Sequence, residues 1–237
     1  TVDGSNGDVA FFQLRRDGTL GWVNSVGTLQ LEQCFYMTSD GNESLYILGN
    51  TASTTTFNGK PTFGNGDVFV IKVAQNNGSV LATAVLGGNY PDATGRLTYC
   101  SFDKTLIVTW LLNGVSQVTK LNINNLSTNW TITTGATGNY YEGTVGGVYC
   151  EPATGIIHAC GGSNISYFKL SSDGTILLTK PLITNGVENR GYELTKSGTS
   201  VFIVGSIAGN FNGTTFMGGD GDPFILKVAE SDGTLLG

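Results

Sequence analysis

The sequence predicts an all-β chain built from repeated four-stranded units, and three observations carry that reading. One short strand pattern recurs, as Phe11-Phe12-Gln13-Leu14, Val70-Ile71-Lys72-Val73, Val118-Thr119-Lys120-Leu121, Tyr167-Phe168-Lys169-Leu170 and Ile225-Leu226-Lys227-Val228. Its period of about fifty residues is that of a multi-stranded repeat. Four of the copies run into a hairpin turn signal, Asp17-Gly18-Thr19-Leu20, Asn77-Gly78-Ser79-Val80, Asp173-Gly174-Thr175-Ile176 and Asp232-Gly233-Thr234-Leu235, and Asp-Gly and Asn-Gly are the pairs that suit a tight turn between antiparallel strands. Finally, the 35 glycines gather between short apolar runs, and no segment of useful length repeats with the helical period.

Each repeat holds two pairs of strands. The recurring hairpin is one pair, degenerate in its third copy around Asn125 to Trp130. The other pair reads Cys34 to Met37 with Leu45 to Leu48, Leu97 to Phe102 with Leu106 to Trp110, Gly147 to Cys150 with Gly155 to Ala159, and Tyr192 to Thr195 with Val201 to Val204. Polar turns such as Ser39-Asp40-Gly41-Asn42 separate its members. Several strands are apolar on both faces, as in Phe69-Val70-Ile71 and Phe224-Ile225-Leu226. A sandwich strand with one wet face alternates more cleanly, whereas a blade packed on both faces reads this way. The expected fold is therefore a β-propeller of four-stranded blades, with another repeat sheet assembly or a sandwich as the alternatives. The chain divides into a half-blade (1–27), three blades (28–90, 91–137 and 138–182) and a nearly complete last blade (183–237), four to five blades in a single domain. Lys72, Lys169 and Lys227 sit between apolar neighbours, which places them at a rim with their stems snorkelling outward.

Asp67-Val68-Phe69-Val70-Ile71-Lys72-Val73, then Asn77-Gly78-Ser79-Val80-Leu81 and Leu86-Gly87-Gly88, resembles the bacterial-type beta-propeller repeat family. Members of that family carry a D-x-F-x-x-K-[LV] strand and a D-G-x-L-x-W strand. Asp222-Pro223-Phe224-Ile225-Leu226-Lys227-Val228 matches equally well, and Leu45 to Thr51 looks like the family's second strand. In the middle repeats Val115 replaces the leading Asp, and Trp110 replaces the glycine after strand two. The resemblance implies a seven-bladed-type propeller fold and carries over no catalytic residue. Its strand order leaves an outer pair at the start and an extra third strand at the end. That arrangement suggests either a cut from a longer protein or an unusual pairing of Phe224 to Gly237.

Composition narrows the function classes. With 18 acidic and 12 basic residues the net charge is −6, and no basic cluster offsets it, which argues against nucleic acid as a partner. No apolar run is long enough to span a bilayer, so membrane insertion is not expected. No leader is visible, although a mature or excised fragment would look the same. Cys34, Cys100, Cys150 and Cys160 lack CxxC spacing, and with one histidine a zinc site is disfavoured. Their apolar settings read first as buried free thiols. Six N-x-Ser/Thr sequons start at Asn42, Asn77, Asn125, Asn129, Asn164 and Asn212. Together with the low charge, they point to an extracellular or cell-surface glycoprotein.

The candidate sites are few. Asn6-Gly7-Asp8, Asn65-Gly66-Asp67 and Asp220-Gly221-Asp222 offer Asp8, Asp67, Asp220 and Asp222 as ligands for Ca²⁺, against the plainer role of an Asp bonding its own turn. No other cofactor is expected. His158 and Cys160 share a strand face, but no oxyanion loop accompanies them. Trp22, Trp110 and Trp130 read as packing. Tyr140 and Tyr141 lie in an irregular stretch and are the best candidates for stacking on a sugar. The leading expectation is a non-enzymatic extracellular structural or adhesion scaffold that assembles through its terminal strands. Its partners would be other copies of itself or a surface protein, with glycan as a further partner. A carbohydrate-binding propeller is the rival, and a polysaccharide hydrolase or lyase the third reading.

Overall fold

The structure, a computed structural model, describes residues 7–64, 66–137, 145–184, 189–219 and 221–237. These residues form strands, turns and loops, with no helix among them. Strands β1 (Val9–Leu14) and β2 (Leu20–Val26) make a two-stranded sheet. The second sheet contains β3 (Glu32–Ser39) and β4 (Ser44–Thr51). After a small separate hairpin of β5 (Thr56–Phe57) and β6 (Lys60–Pro61), it is completed by β7 (Asp67–Ala74) and β8 (Val80–Leu86). A third sheet runs β9 (Ala93–Cys100), β10 (Thr105–Leu112), β11 (Val115–Asn122) and β12 (Thr128–Thr137). The fourth contains β13 (Val145–Cys150), β14 (Ile157–Gly161), β15 (Ser166–Leu170) and β16 (Ile176–Pro181), and the fifth β17 (Arg190–Ser197), β18 (Ser200–Ile207) and β19 (Asp222–Ala229). Every paired neighbour is antiparallel and, apart from β4 with β7, adjacent in sequence.

The sheets pack face to face in chain order, which explains the doubly apolar strands. Val9, Phe11 and Val26 of the first sheet meet Ile47, Phe69, Ile71 and Val73 of the second. The other face of the second sheet presents Tyr46, Leu48, Val68 and Val70 to Leu97, Leu106, Val108 and Leu121 of the third. Ile107 and Val118 then meet Ile157, Phe168 and Leu170 of the fourth, and Tyr167 meets Leu194, Ile203 and Leu226 of the fifth. Each such aliphatic or aromatic side chain contributes about 1.5–3 kcal/mol on full burial. Central β10 is buried through seven of its eight residues, whereas outer β12 alternates exposed with half-buried. Along one side the first strands touch in succession, β3 with β9, β9 with β13 and β13 with β17.

Hydrogen bonds clamp neighbouring sheets at their rim. The Trp22 indole N–H donates to the Gln75 carbonyl, and the Trp130 indole and the Lys120 ammonium both donate to the Ser172 carbonyl. Lys120 also pairs with Asp103. Cys100 at the end of β9 is disulfide-bonded to Cys150 at the end of β13, while Cys34 and Cys160 are free. The expectation of four free thiols therefore fails for one pair, which two adjacent first strands bring together. Closing a loop of that length is worth about 4 kcal/mol in a chain-entropy account.

The expected propeller is not what forms. The chain is all-β, but its six sheets are separate and open, with two, four, two, four, four and three strands. A closed ring of four-stranded blades needs its first and last sheets to meet. Here the outer faces of both lie open, with Phe12 and Leu14 of the first sheet 58% and 62% exposed and Ile225 of the last 69% exposed. Local pairing depends on alternation and turn residues, which the sequence supplies; closure depends on how the sheets sit, which a strand motif does not specify. The functional readings built on the propeller fall with it. These are the adhesion scaffold joined through terminal strands, the lectin-like propeller and the hydrolase at a propeller mouth.

Candidate functional site

The two end sheets each leave an apolar face uncovered, with Phe12 and Leu14 exposed on the first and Ile225 on the last. In the recurring strand, the second position is buried in Ile71, Phe168 and Leu226, and so is the fourth in Val73, Leu121, Leu170 and Val228. In β1 the same positions are Phe12 and Leu14, both exposed, with Val23 opposite Phe12 also exposed. The first position is buried in Phe11, Val70, Val118 and Tyr167, but in β19 it is Ile225, exposed beside the exposed Val204. Each internal interface joins a first-position face to a second-and-fourth-position face. The free face of the last sheet is of the former kind, and that of the first sheet is of the latter.

A buried charge centre lies between the fourth and fifth sheets. His158, on β14, is fully buried between Tyr167 of β15 and Glu151 at the end of β13. Its Nε2–H donates to Glu151 Oε1 at 2.9 Å, and its Nδ1 accepts from the Tyr167 hydroxyl at 2.7 Å. Burial depresses its pKa more than Glu151 raises it, so the imidazole is neutral at pH 7. Lys196 of β17 bridges two carboxylates, Glu151 at 2.9 Å and Glu230 at 3.1 Å, and Lys169 binds Glu230 at 2.6 Å. Burial opposes charge on Glu151, but the hydrogen bonds from Thr154, His158 and Lys196 outweigh it and hold the carboxyl down at about 2. Two carboxylates thus face two ammonium groups, and the centre is neutral overall.

Ligand atoms of Glu151, His158 and Glu230 lie within 4.8 Å of one another, a donor set that can coordinate a divalent ion. One imidazole with two carboxylates suits a transition metal better than Ca²⁺, which takes oxygen ligands. An ion there competes with Lys196, whose Nζ already contacts both carboxylates. Cys160 is buried and its thiol is pushed up to about 12 by that burial, so it is not a nucleophile poised beside His158.

Of the acidic residues proposed from sequence, Asp8 precedes β1, Asp67 opens β7 and Asp222 opens β19, in three different sheets. Asp222 accepts the Met217 N–H at 2.5 Å. Asp8 is half-buried with its Oδ1 against Gly27. Asp67 is fully buried; its Oδ2 accepts the Phe63 and Gly64 N–H groups at 2.9 and 3.3 Å. Asp220, Tyr140 and Tyr141 lie outside the described residues. All six sequon asparagines, Asn42, Asn77, Asn125, Asn129, Asn164 and Asn212, are exposed. Trp110 is buried and donates to Thr119, while Trp22 and Trp130 serve the clamps described above.

Sequence reasoning missed Asp92, which the fold places beside Asp67. Asp92 is also fully buried, its Oδ2 accepting the Gly88 N–H at 2.8 Å and its Oδ1 the Asn113 N–H at 3.0 Å. Gly87 lies between the two acids. A Cβ there would stand 1.9 Å from Asp67 Oδ1 and 2.9 Å from Asp92 Oδ2. Burial, with a smaller push from Asp67, raises the Asp92 carboxyl to about 6 against the pull of its two N–H donors. Burial raises Asp67 as well. A signal was present: Gly87-Gly88 precedes Asp92 as Gly27-Thr28 precedes Glu32, and Glu32 likewise accepts the N–H four residues back, at 2.8 Å.

No helix among the described residues is long and apolar enough to cross a membrane. No protein-family model matches the chain, and no curated protein matches it. The resemblance to the bacterial-type beta-propeller repeat family is therefore not upheld. It rests on strand and turn patterns that an open array of sheets satisfies as well.

Proposed function

We propose that the chain is a non-catalytic stacking module that binds a second copy of itself, the open face of its last sheet against the open face of its first. The observation that supports this is the exposure of Phe12, Leu14 and Ile225 at positions buried wherever two sheets meet inside the chain. Exposed contiguous apolar surface of this kind marks an interaction site. The geometry of the partner face comes from the molecule itself, since the internal interfaces join the same two kinds of face. The clamp has its counterparts too. Lys227 stands where Lys120 and Lys169 stand, and the Arg16 carbonyl stands where the Gln75 and Ser172 carbonyls accept. This contact is between faces, not between strand edges.

The contact is head to tail, so each copy keeps one free face after the first association. Sedimentation over a range of concentrations tests the reading. Association that rises with concentration is expected, and both Ile225→Lys and Phe12→Lys abolish it when each variant is alone. Mixing the two variants restores a dimer and no larger species, because one intact face of each kind remains. A wild-type chain that stays monomeric at high concentration, or a mixture that fails to pair, overturns the proposal.

The non-catalytic part of the reading is supported by the closed state of the one histidine. Both its ring nitrogens are engaged and it is buried. An extracellular or cell-surface setting, with glycans on the exposed sequons, belongs to the same proposal. Its support is the Cys100–Cys150 disulfide, a bond that persists in oxidising compartments. Intact-mass measurement of natively secreted material tests it: an excess over the 24.9 kDa chain is expected, and an unmodified mass from a glycosylating host counts against it.

A further inference from the structure

The Asp67–Asp92 pair differs from the Glu151–Glu230 pair in having no basic partner among the described residues. Both residues are fully buried, and among the described residues their side-chain hydrogen-bond donors are backbone N–H groups alone, those of Phe63, Gly64, Gly88 and Asn113. Asp67 Oδ1 is buried without any hydrogen-bond partner. It faces the same point beside Gly87 that Asp92 Oδ2 faces, at 1.9 and 2.9 Å from a Cβ placed there. Two buried carboxylates that share one space and lack a countercharge require a cation or a proton to be stable together.

From this geometry we infer a Ca²⁺ site between the Asp67 turn and the Asp92 loop, with Asp67 Oδ1 and Asp92 Oδ2 as its two carboxylate ligands. The donors are all oxygen, which excludes the softer metals that favour imidazole or thiolate. They come from two irregular loops, and Ca²⁺ accepts irregular coordination at about 2.3–2.6 Å, whereas Mg²⁺ demands near-ideal octahedra and holds its waters. The backbone donors fix the far side of each carboxylate, so the near oxygens are aimed before the ion arrives. Gly87 is the residue that lets the two carboxylates approach one another: any side chain there would meet Asp67 Oδ1. The raised pKa of Asp92 agrees with a pair awaiting a positive charge, and it makes the ion compete with a proton.

The test is calorimetric titration of the chelator-treated full chain with CaCl₂, with MgCl₂ as the control. One site that prefers Ca²⁺ is expected, together with a rise in melting temperature on binding. Asp67→Asn and Asp92→Asn each weaken binding roughly tenfold or more, while Glu151→Gln leaves it unchanged. Three results overturn the proposal: no Ca²⁺ heat in the wild type, heat that survives in the Asp67→Asn, Asp92→Asn double variant, or heat lost in Glu151→Gln. The last would place the ion in the charge centre between the fourth and fifth sheets.

Discussion

Two acid pairs in this chain, Glu151 with the half-buried Glu230 and the fully buried Asp67 with Asp92, solve the same electrostatic problem in opposite ways. Glu151 and Glu230 meet between the fourth and fifth sheets and are held by Lys196, Lys169, Thr154 and His158. Asp67 and Asp92 meet beside Gly87 and, among the described residues, are held by backbone N–H groups alone. The consequence shows in their protonation. Glu151 is held down at about 2, whereas Asp92 is pushed up to about 6. A carboxylate's burial therefore does not decide its charge; the countercharge within reach does.

The largest expected effect comes from breaking the compensated pair. Lys196→Met leaves Glu151 without its ammonium partner and Glu230 with Lys169 alone, and it lowers stability by about 2 kcal/mol, since removing one member of a partly buried ion pair strands the other while solvent screens part of the loss. Urea unfolding measures this, and a loss below about 1 kcal/mol would mean that solvent already screens the centre. By the same logic, Lys169→Met acts on Glu230 and leaves Glu151 with Lys196.

The pH profile of the chelator-treated protein separates the two pairs by sign. Glu151 falls from an ordinary 4.5 to about 2, so its contribution is present above pH 4.5 and is lost as pH falls toward 2. Asp92 rises from 3.8 to about 6, so its contribution is present below pH 3.8 and is lost as pH rises through about 6. Stability should thus decline at both ends of the range. The Asp92 arm amounts to about 2 kcal/mol between pH 4 and 7. Asp92→Asn flattens the neutral arm and Glu151→Gln the acid arm. Profiles that respond to the opposite variants would reverse the assignment.

A smaller gain is expected from relieving the uncompensated pair directly. Asp67→Asn removes one of two adjacent buried charges and stabilises the ion-free protein at pH 7 by about 1 kcal/mol. The same change on the Glu151 side, Glu151→Gln, destabilises at that pH, and two changes of equal sign in thermal unfolding would remove the distinction. The smallest effect is that of Thr154→Val. It deletes the 2.6 Å hydrogen bond to Glu151 Oε2 and costs about 1 kcal/mol, with a measurable upward shift of the acid arm.

Little of either pair was legible from sequence. Asp67 stood out because it closes an Asn-Gly-Asp turn, but its partner Asp92 sits 25 positions on in a loop with no such triplet. Lys169 was read as a rim lysine with a snorkelling stem, and the fold instead seats its ammonium on Glu230. His158 was placed on one strand face with Cys160, and its true partners, Tyr167 and Glu151, come from β15 and from the turn after β13. Each of these contacts depends on register and on which turn lies opposite, and neither is written in residue spacing.

What the sequence determined by itself is local. Alternation set the strands, and the hairpin turns after β1, β7 and β15 rest on Asp-Gly or Asn-Gly pairs read from sequence. The doubly apolar pattern of β7 announced burial on two faces, which stacked sheets provide, whereas the same pattern in β19 leaves Ile225 exposed. Tertiary structure alone decided that the sheets form an open array and not a ring, that Cys100 reaches Cys150, and that Asp67 faces Asp92. The reason is range. Turn chemistry and side-chain alternation act over a few residues and repeat in every unit, so they are identical in an open array and a closed ring. Closure, disulfide pairing and the meeting of two acids depend on the relative placement of whole sheets, which emerges only when their faces pack.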